Sequence, residues 1–155
     1  MATQFQAISS HTSQQAAQIF RERAAAIRLR VAEKIADAIV DGSPVDTGTY
    51  IMAHVAGTGS SDEDGSRSSH GKPRGRDRSQ FTNLARGNLR RSVSAAAVQA
   101  SSEIWFRNRA WHAPAVEHLG WAAGTQPYQV YARARAQVPT FIREAAREYS
   151  MEVRG

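Results

Sequence analysis

The chain contains no cysteine, so a disulfide framework and any thiolate metal site are excluded. That absence fits assembly in a reducing cytoplasm but does not require it. No apolar run approaches the roughly 20 residues that a bilayer crossing needs. The polar, Gln- and Ser-rich N-terminus also lacks the basic and apolar regions of a signal peptide, so a soluble, unexported protein is expected. There is no Gly-x-Ser-x-Gly elbow, no Ser-x-x-Lys pair and no Gly-rich phosphate loop leading into a helix. Enzymatic activity and a bound cofactor are therefore not expected. Lysine is nearly absent too: 18 of the 20 cations are Arg, whose planar fork suits carboxylate and phosphate partners.

What is present bounds the architecture. At 155 residues and 41% hydrophobic content the chain can bury one core, so a single domain over residues 1–155 is expected. The net charge of +6 is uneven, with eight basic against four acidic side chains between residues 61 and 100. Arg67, Lys72, Arg74, Arg76, Arg78, Arg86, Arg90 and Arg91 make this middle a candidate contact for DNA or for an acidic protein surface. No aromatic residue interleaves Arg67 to Arg78 as a base-stacking platform would, so a solvated basic loop is an equally good reading.

Periodicity predicts a helix over about Ser13–Asp41, with Phe20, Ala24, Ile27, Val31, Ile35 and Ile39 on one stripe. Thr12 with Gln15 fits a capping box, and Asp41-Gly42 followed by Pro44 fits a left-handed stop. Glu33 and Asp37 share a helical face and read as a solvated acidic patch near Arg30 and Lys34, not as a catalytic pair. Tyr50 to Val55 is a candidate short strand. Residues 56–79, rich in Gly, Ser, Asp and Arg, read as a long flexible loop whose acidic start and basic finish could pair between neighbouring copies. Asp62-Glu63-Asp64-Gly65 is too short and wrongly spaced for a calcium loop.

Ala85, Leu89, Val93 and Ala96 predict a second helix over about Thr82–Ala97 despite Gly87. Ser102–Arg107 alternates as a half-buried strand does, with Ile104 and Phe106 on one side and Trp105 on the other. Glu117–Gln126 reads as a loop. A final helix is predicted over about Tyr128–Tyr149, with Pro139 as a kink or break. No internal repeat is visible.

His112, Glu117 and His118 form the one local cluster with both nitrogen and oxygen ligands. Pro114 separates the two histidines and nothing completes the shell, so no metal site is expected. Among the large rings, Trp111 and Trp121 lie in loop-like sequence beside polar residues and are better interface candidates than Trp105.

Two segments carry a resemblance: Pro44-Val45-Asp46-Thr47-Gly48 after the long helix, and Asn108 to Gly120 (NRAWHAPAVEHLG) sixty residues later. With Ile104-Trp105-Phe106-Arg107-Asn108, Gly120-Trp121 and Pro127 before the last helix, their order resembles the tail-completion or neck proteins of long-tailed double-stranded DNA phages. These are the head-tail joining family of the minor tail protein Z type, and the resemblance spans about two thirds of the chain. The chain departs from it in three ways. His118-Leu119 stand where one residue is usual, His112 replaces a commoner Tyr, and residues 49–86 look inserted before Gly87-Asn88-Leu89-Arg90-Arg91-Ser92.

The motifs make sense as scaffolding. Asp46 can accept hydrogen bonds from its own turn while Gly48 takes a positive φ, and Asn108 can bridge turn backbone. Glu117 is expected to meet an Arg of its own or of an adjacent subunit. The expected fold is α+β, with long N- and C-terminal helices on a small antiparallel sheet.

The resemblance implies a non-enzymatic virion protein assembled in the host cytoplasm. It would form a homo-oligomeric ring, six copies or else twelve, between a head connector or stopper and a tail-terminator or tail-tube protein. Trp111, His112, Glu117, Gly120 and Trp121 are its interface candidates, and the Arg-rich loop would face a neighbouring ring or DNA in the channel. A tail-terminator ring is the alternative within the same machinery, and a basic nucleic-acid-binding module is the alternative of another class.

Overall fold

The computed structural model describes residues 2–45, 48–58, 78–99, 103–120 and 125–152. The elements run α1 (Ala2–Gly42), α2 (Thr49–Met52), β1 (His54–Gly57), α3 (Arg78–Gln99), β2 (Trp105–Asn108), α4 (Ala113–His118) and α5 (Val130–Glu152). The class is α+β: long terminal helices packed with a two-stranded antiparallel sheet.

α1 forms because apolar and helix-favouring residues follow one another with no Gly or Pro before Gly42. It starts at Ala2, so Thr12 lies inside the helix and not at its cap. Gly42 is the last helical residue and is not left-handed; the chain stops at Ser43-Pro44 instead. Ser43 takes two of the orphan carbonyls, its N–H bonding Val40 O at 3.2 Å and its hydroxyl Ile39 O at 2.6 Å, and Pro44 cannot extend the ladder.

The two other long helices run antiparallel to α1. For α5 the order of contacts is Gly42 against Val130, then Lys34 bridging Glu144 (3.2 Å) and Glu148 (2.8 Å), then Arg30 to Glu148 (3.6 Å). For α3 it is Asp41 to Arg86, then Asp37 to Arg86 (3.4 Å) and Arg90. Asp37 therefore answers arginines of α3 and is not part of a free acidic patch beside Glu33. Pro139 sits on an exposed position of α5 and the helix continues across it, since the carbonyl it leaves unbonded can turn to water.

Three stretches differ from their sequence reading: of the loop expected over residues 56–79, residues 56–57 end β1 and 78–79 open α3, while 59–77 lie outside the described residues. Residues 50–52, expected in a strand, belong to the one-turn helix Thr49–Met52, and the strand begins only at His54. A four-residue apolar run has no diagnostic period, and here burial of Tyr50 and Ile51 decides. Glu117, expected in a loop, lies within α4. Pro114 stands in the first turn of that helix, where its missing N–H costs nothing.

β1 and β2 pair His54 with Asn108 and Gly57 with Trp105 at the two ends of the register. Ile104 and Phe106 turn inward and Trp105 outward, as the alternation predicts. Ser92 of α3 accepts from the Ala56 N–H at 3.0 Å, so a side chain serves an outer edge of the sheet. One buried cluster joins Ile39, Val40, Ile51, Leu89, Val93, Val116 and Val130, drawn from α1 through α5.

Candidate functional site

The two segments that carry the resemblance meet in space. Asp46 and Thr47 lie outside the described residues, but Gly48, the last residue of the motif, has φ +76°. A Cβ there would stand 2.6 Å from the Phe81 ring, so the position requires glycine both for backbone conformation and for the close approach of α3. Gly48 O then accepts from Met52 N at 3.0 Å, closing α2. From the other segment, Asn108 Nδ2 donates to Tyr50 O at 2.9 Å, and its Oδ1 accepts from Ala110 N at 2.8 Å. The end of β2 is thus pinned to the turn after α1, as a strand-terminal Asn can do.

Beneath this junction lies a buried polar hub. His54 Nε2 is 2.8 Å from Ser43 Oγ, and His54 Nδ1 is 2.8 Å from the Tyr131 hydroxyl and 3.2 Å from Asn108 Nδ2. The carbonyl of Ile39 can only accept, so Ser43 gives its proton there, and His54 Nε2 must donate to Ser43. Nδ1 therefore accepts, and Tyr131 donates to it. This pattern requires a neutral imidazole, and burial pushes the His54 pKa down to about 3.

Ser43 and His54 have the separation of a nucleophile and its base. However, both are buried and the hydroxyl proton points away to a backbone acceptor, so the pair is structural.

Glu117 of α4 joins the same hub. It accepts from the Tyr50 hydroxyl with one oxygen and from Tyr131 N at 3.4 Å with the other. Its partners among the described residues of its own subunit are thus a tyrosine hydroxyl and a backbone N–H, where an arginine was one expectation. Burial, reinforced by the Glu117 charge, raises the pKa of both Tyr50 and Tyr131, so both remain protonated donors.

Other residues singled out by sequence are dispersed. Trp111 lies in the turn before α4 and is 70% exposed, its ring edge-on to His112 at 5.2 Å. His112 is buried against Tyr50, and burial lowers its pKa. His118 faces outward at the end of α4, and Leu119 beside it is exposed. Among the described residues no three His, Asp or Glu side chains gather to hold a metal ion. Gly120, with φ +79°, packs against Thr125 in space that no side chain could share. Trp121 lies outside the described residues.

Of the basic set, Arg67, Lys72, Arg74 and Arg76 lie outside the described residues, and Arg78 opens α3. Arg90 and Arg91 are on α3 and not in the loop. Arg90 forks onto Asp37 through Nε (3.0 Å) and a terminal nitrogen (2.5 Å), and Arg91 bonds Asn88. Arg86 pairs with Asp37 and Asp41. Among the described residues no helix is long and apolar enough to cross a membrane.

Sequence reasoning did not foresee the hub of Ser43, Tyr50, His54 and Tyr131. The available signal was a polar ring group recurring inside otherwise apolar segments, at Tyr50, His54 and Tyr131, where each needs a partner. Comparison of the chain with protein-family models, with curated proteins and with solved structures finds no match.

Proposed function

We propose that this chain is a structural protein of the neck of a long-tailed double-stranded DNA phage, forming a ring that joins the head connector to the tail. The observation that carries the reading is the convergence of the two resembling segments. The segment ending at Gly48 and the stretch from Asn108 to Gly120 are fastened to each other through Asn108, Tyr50 and Glu117. The polar groups of these segments are used on partners within the subunit, which suits a scaffold whose task is to hold a shape. Trp111 and Leu119, exposed beside this hub, offer an apolar face on a rigidly held turn for a neighbouring ring.

The reading as a free-standing nucleic-acid module is disfavoured by Arg86 and Arg90, which are paired with Asp37 and Asp41 inside the subunit. Gold-labelled antibody against the chain should decorate the collar of purified virions, and the isolated protein should assemble into closed rings by native mass spectrometry. Label at the distal end of tail tubes lacking heads would favour the tail-terminator alternative. A monomer that binds short duplexes with an affinity falling steeply from low to physiological salt would replace both with the nucleic-acid module.

A further inference from the structure

α1 is longer than the body it packs on. Residues 12–25 are exposed on every side, and within them Ile19 and Phe20 are 48% and 71% exposed. Helices in proteins draw most of their stability from a packed face, so an arm presenting two large apolar side chains is built for a contact outside its own subunit.

The same subunit carries a matching recess. An open groove of about 230 Å³ runs between α1, β2 and α5, lined by Ile35, Ile39, Ile104, Trp105, Phe106 and Val138. A 150 Å³ apolar cavity is enough for a benzene ring, so this groove admits a phenyl ring with a branched aliphatic side chain beside it. Phe20 supplies the ring, and Ile19, about 100° around the helix from it, can lie against the groove's edge. Charged side chains flank each surface, Arg21, Glu22 and Arg23 on the arm and Arg135 at the groove, so Glu22 of one copy is opposite in sign to Arg135 of another. Phe20 and Ile35 belong to one rigid helix and are separated by 15 residues, or about 22 Å, so no subunit can fill its own groove.

We infer that the α1 arm of one copy docks Phe20, with Ile19 against the groove's edge, into the α1–β2–α5 groove of the next copy, head to tail. The inference rests on the ring-forming reading above and supplies its contact. The two surfaces differ, so the interface is heterologous and closes into a ring when the rotation per subunit permits.

The absence of cysteine makes the contact directly testable. Full-length Phe20→Cys and Arg135→Cys proteins, mixed and oxidised, should give mainly a disulfide between position 20 of one copy and position 135 of another, identified by peptide mass spectrometry. In sedimentation, Phe20→Ser and Trp105→Ala should each raise the concentration for half-assembly at least about tenfold. Val98→Ser, at a site 89% exposed elsewhere, should leave it unchanged, with circular dichroism confirming the fold of all three. Rings that form equally well with Phe20→Ser, or crosslinks mainly between two positions 20, would overturn the arm-to-groove contact and leave the ring standing. A wild-type chain that stays monomeric at every concentration would overturn both.

Discussion

The hydroxyl of Tyr50 and the carboxylate of Glu117, 67 residues apart in the chain, are hydrogen-bonded to each other within the hub. Tyr50→Phe keeps the ring and removes the donor, leaving one carboxylate oxygen of a half-buried Glu117 without it. The expected cost is about 2 kcal/mol, read as a lower urea midpoint with an unchanged slope. A midpoint equal to that of the wild type would show that the bond contributes nothing net.

His54 ties stability to pH. Its folded pKa, about 3, lies below the ordinary histidine value of 6.5, so between these limits the unfolded chain binds a proton that the native hub refuses. The His54 contribution is fully present above about pH 6.5 and is lost as pH falls toward 3, by up to roughly 1.4 kcal/mol per pH unit. Burial displaces His112 in the same direction, which adds to the slope. Urea unfolding across pH 4–7 should therefore be markedly shallower in its pH dependence for His54→Asn than for the wild type.

Gly48→Ala combines a left-handed backbone with a Cβ 2.6 Å from the Phe81 ring. A loss of about 2–4 kcal/mol is expected from αL strain and overpacking together. Phe81→Leu, which shortens the opposing side chain, should recover part of this in a double-mutant cycle and leave the strain component behind.

The fork of Arg90 onto Asp37 is partly solvated, the two side chains being 48% and 28% exposed. Arg90→Ala should therefore cost less than about 1 kcal/mol, and less still in high salt. Because Arg90 is engaged within its own subunit, the substitution should not change retention on heparin. A clear loss of retention would argue that the pair opens to bind polyanions.

Trp111 offers the opposite dissociation of effects. At 70% exposure its replacement by Ser should leave the urea midpoint within about 0.5 kcal/mol of wild type. The same change should reduce incorporation of the chain into virions, measured by quantitative mass spectrometry of purified particles. Normal incorporation would remove Trp111 from the proposed contact face.

The helices and the outward-turned Trp105 were legible because periods of 3.6 and 2 are properties of the local backbone, and residues such as Ala85, Leu89 and Val93 or Ile104 and Phe106 repeat them plainly. The turn at residues 49–52 and the helix Ala113–His118 were not legible, being too short for any period to register. The hub was invisible for another reason. Ser43, His54, Asn108, Glu117 and Tyr131 come from four separate stretches, and nothing in their spacing says that they meet.

From the amino-acid order alone came the α+β class, the requirement for glycine at the close of the turn after α1, and the exclusion of disulfides, because these depend on residue type and on neighbours within a helical turn or a strand. Only the folded chain decided that Glu117 answers the Tyr50 hydroxyl, that His54 is held neutral, and that residues 12–25 of α1 stand clear of its own body. Hydrogen-bond partners, charge states and exposed faces depend on which surfaces come together across dozens of residues. Packing settles that choice, and local pattern does not contain it.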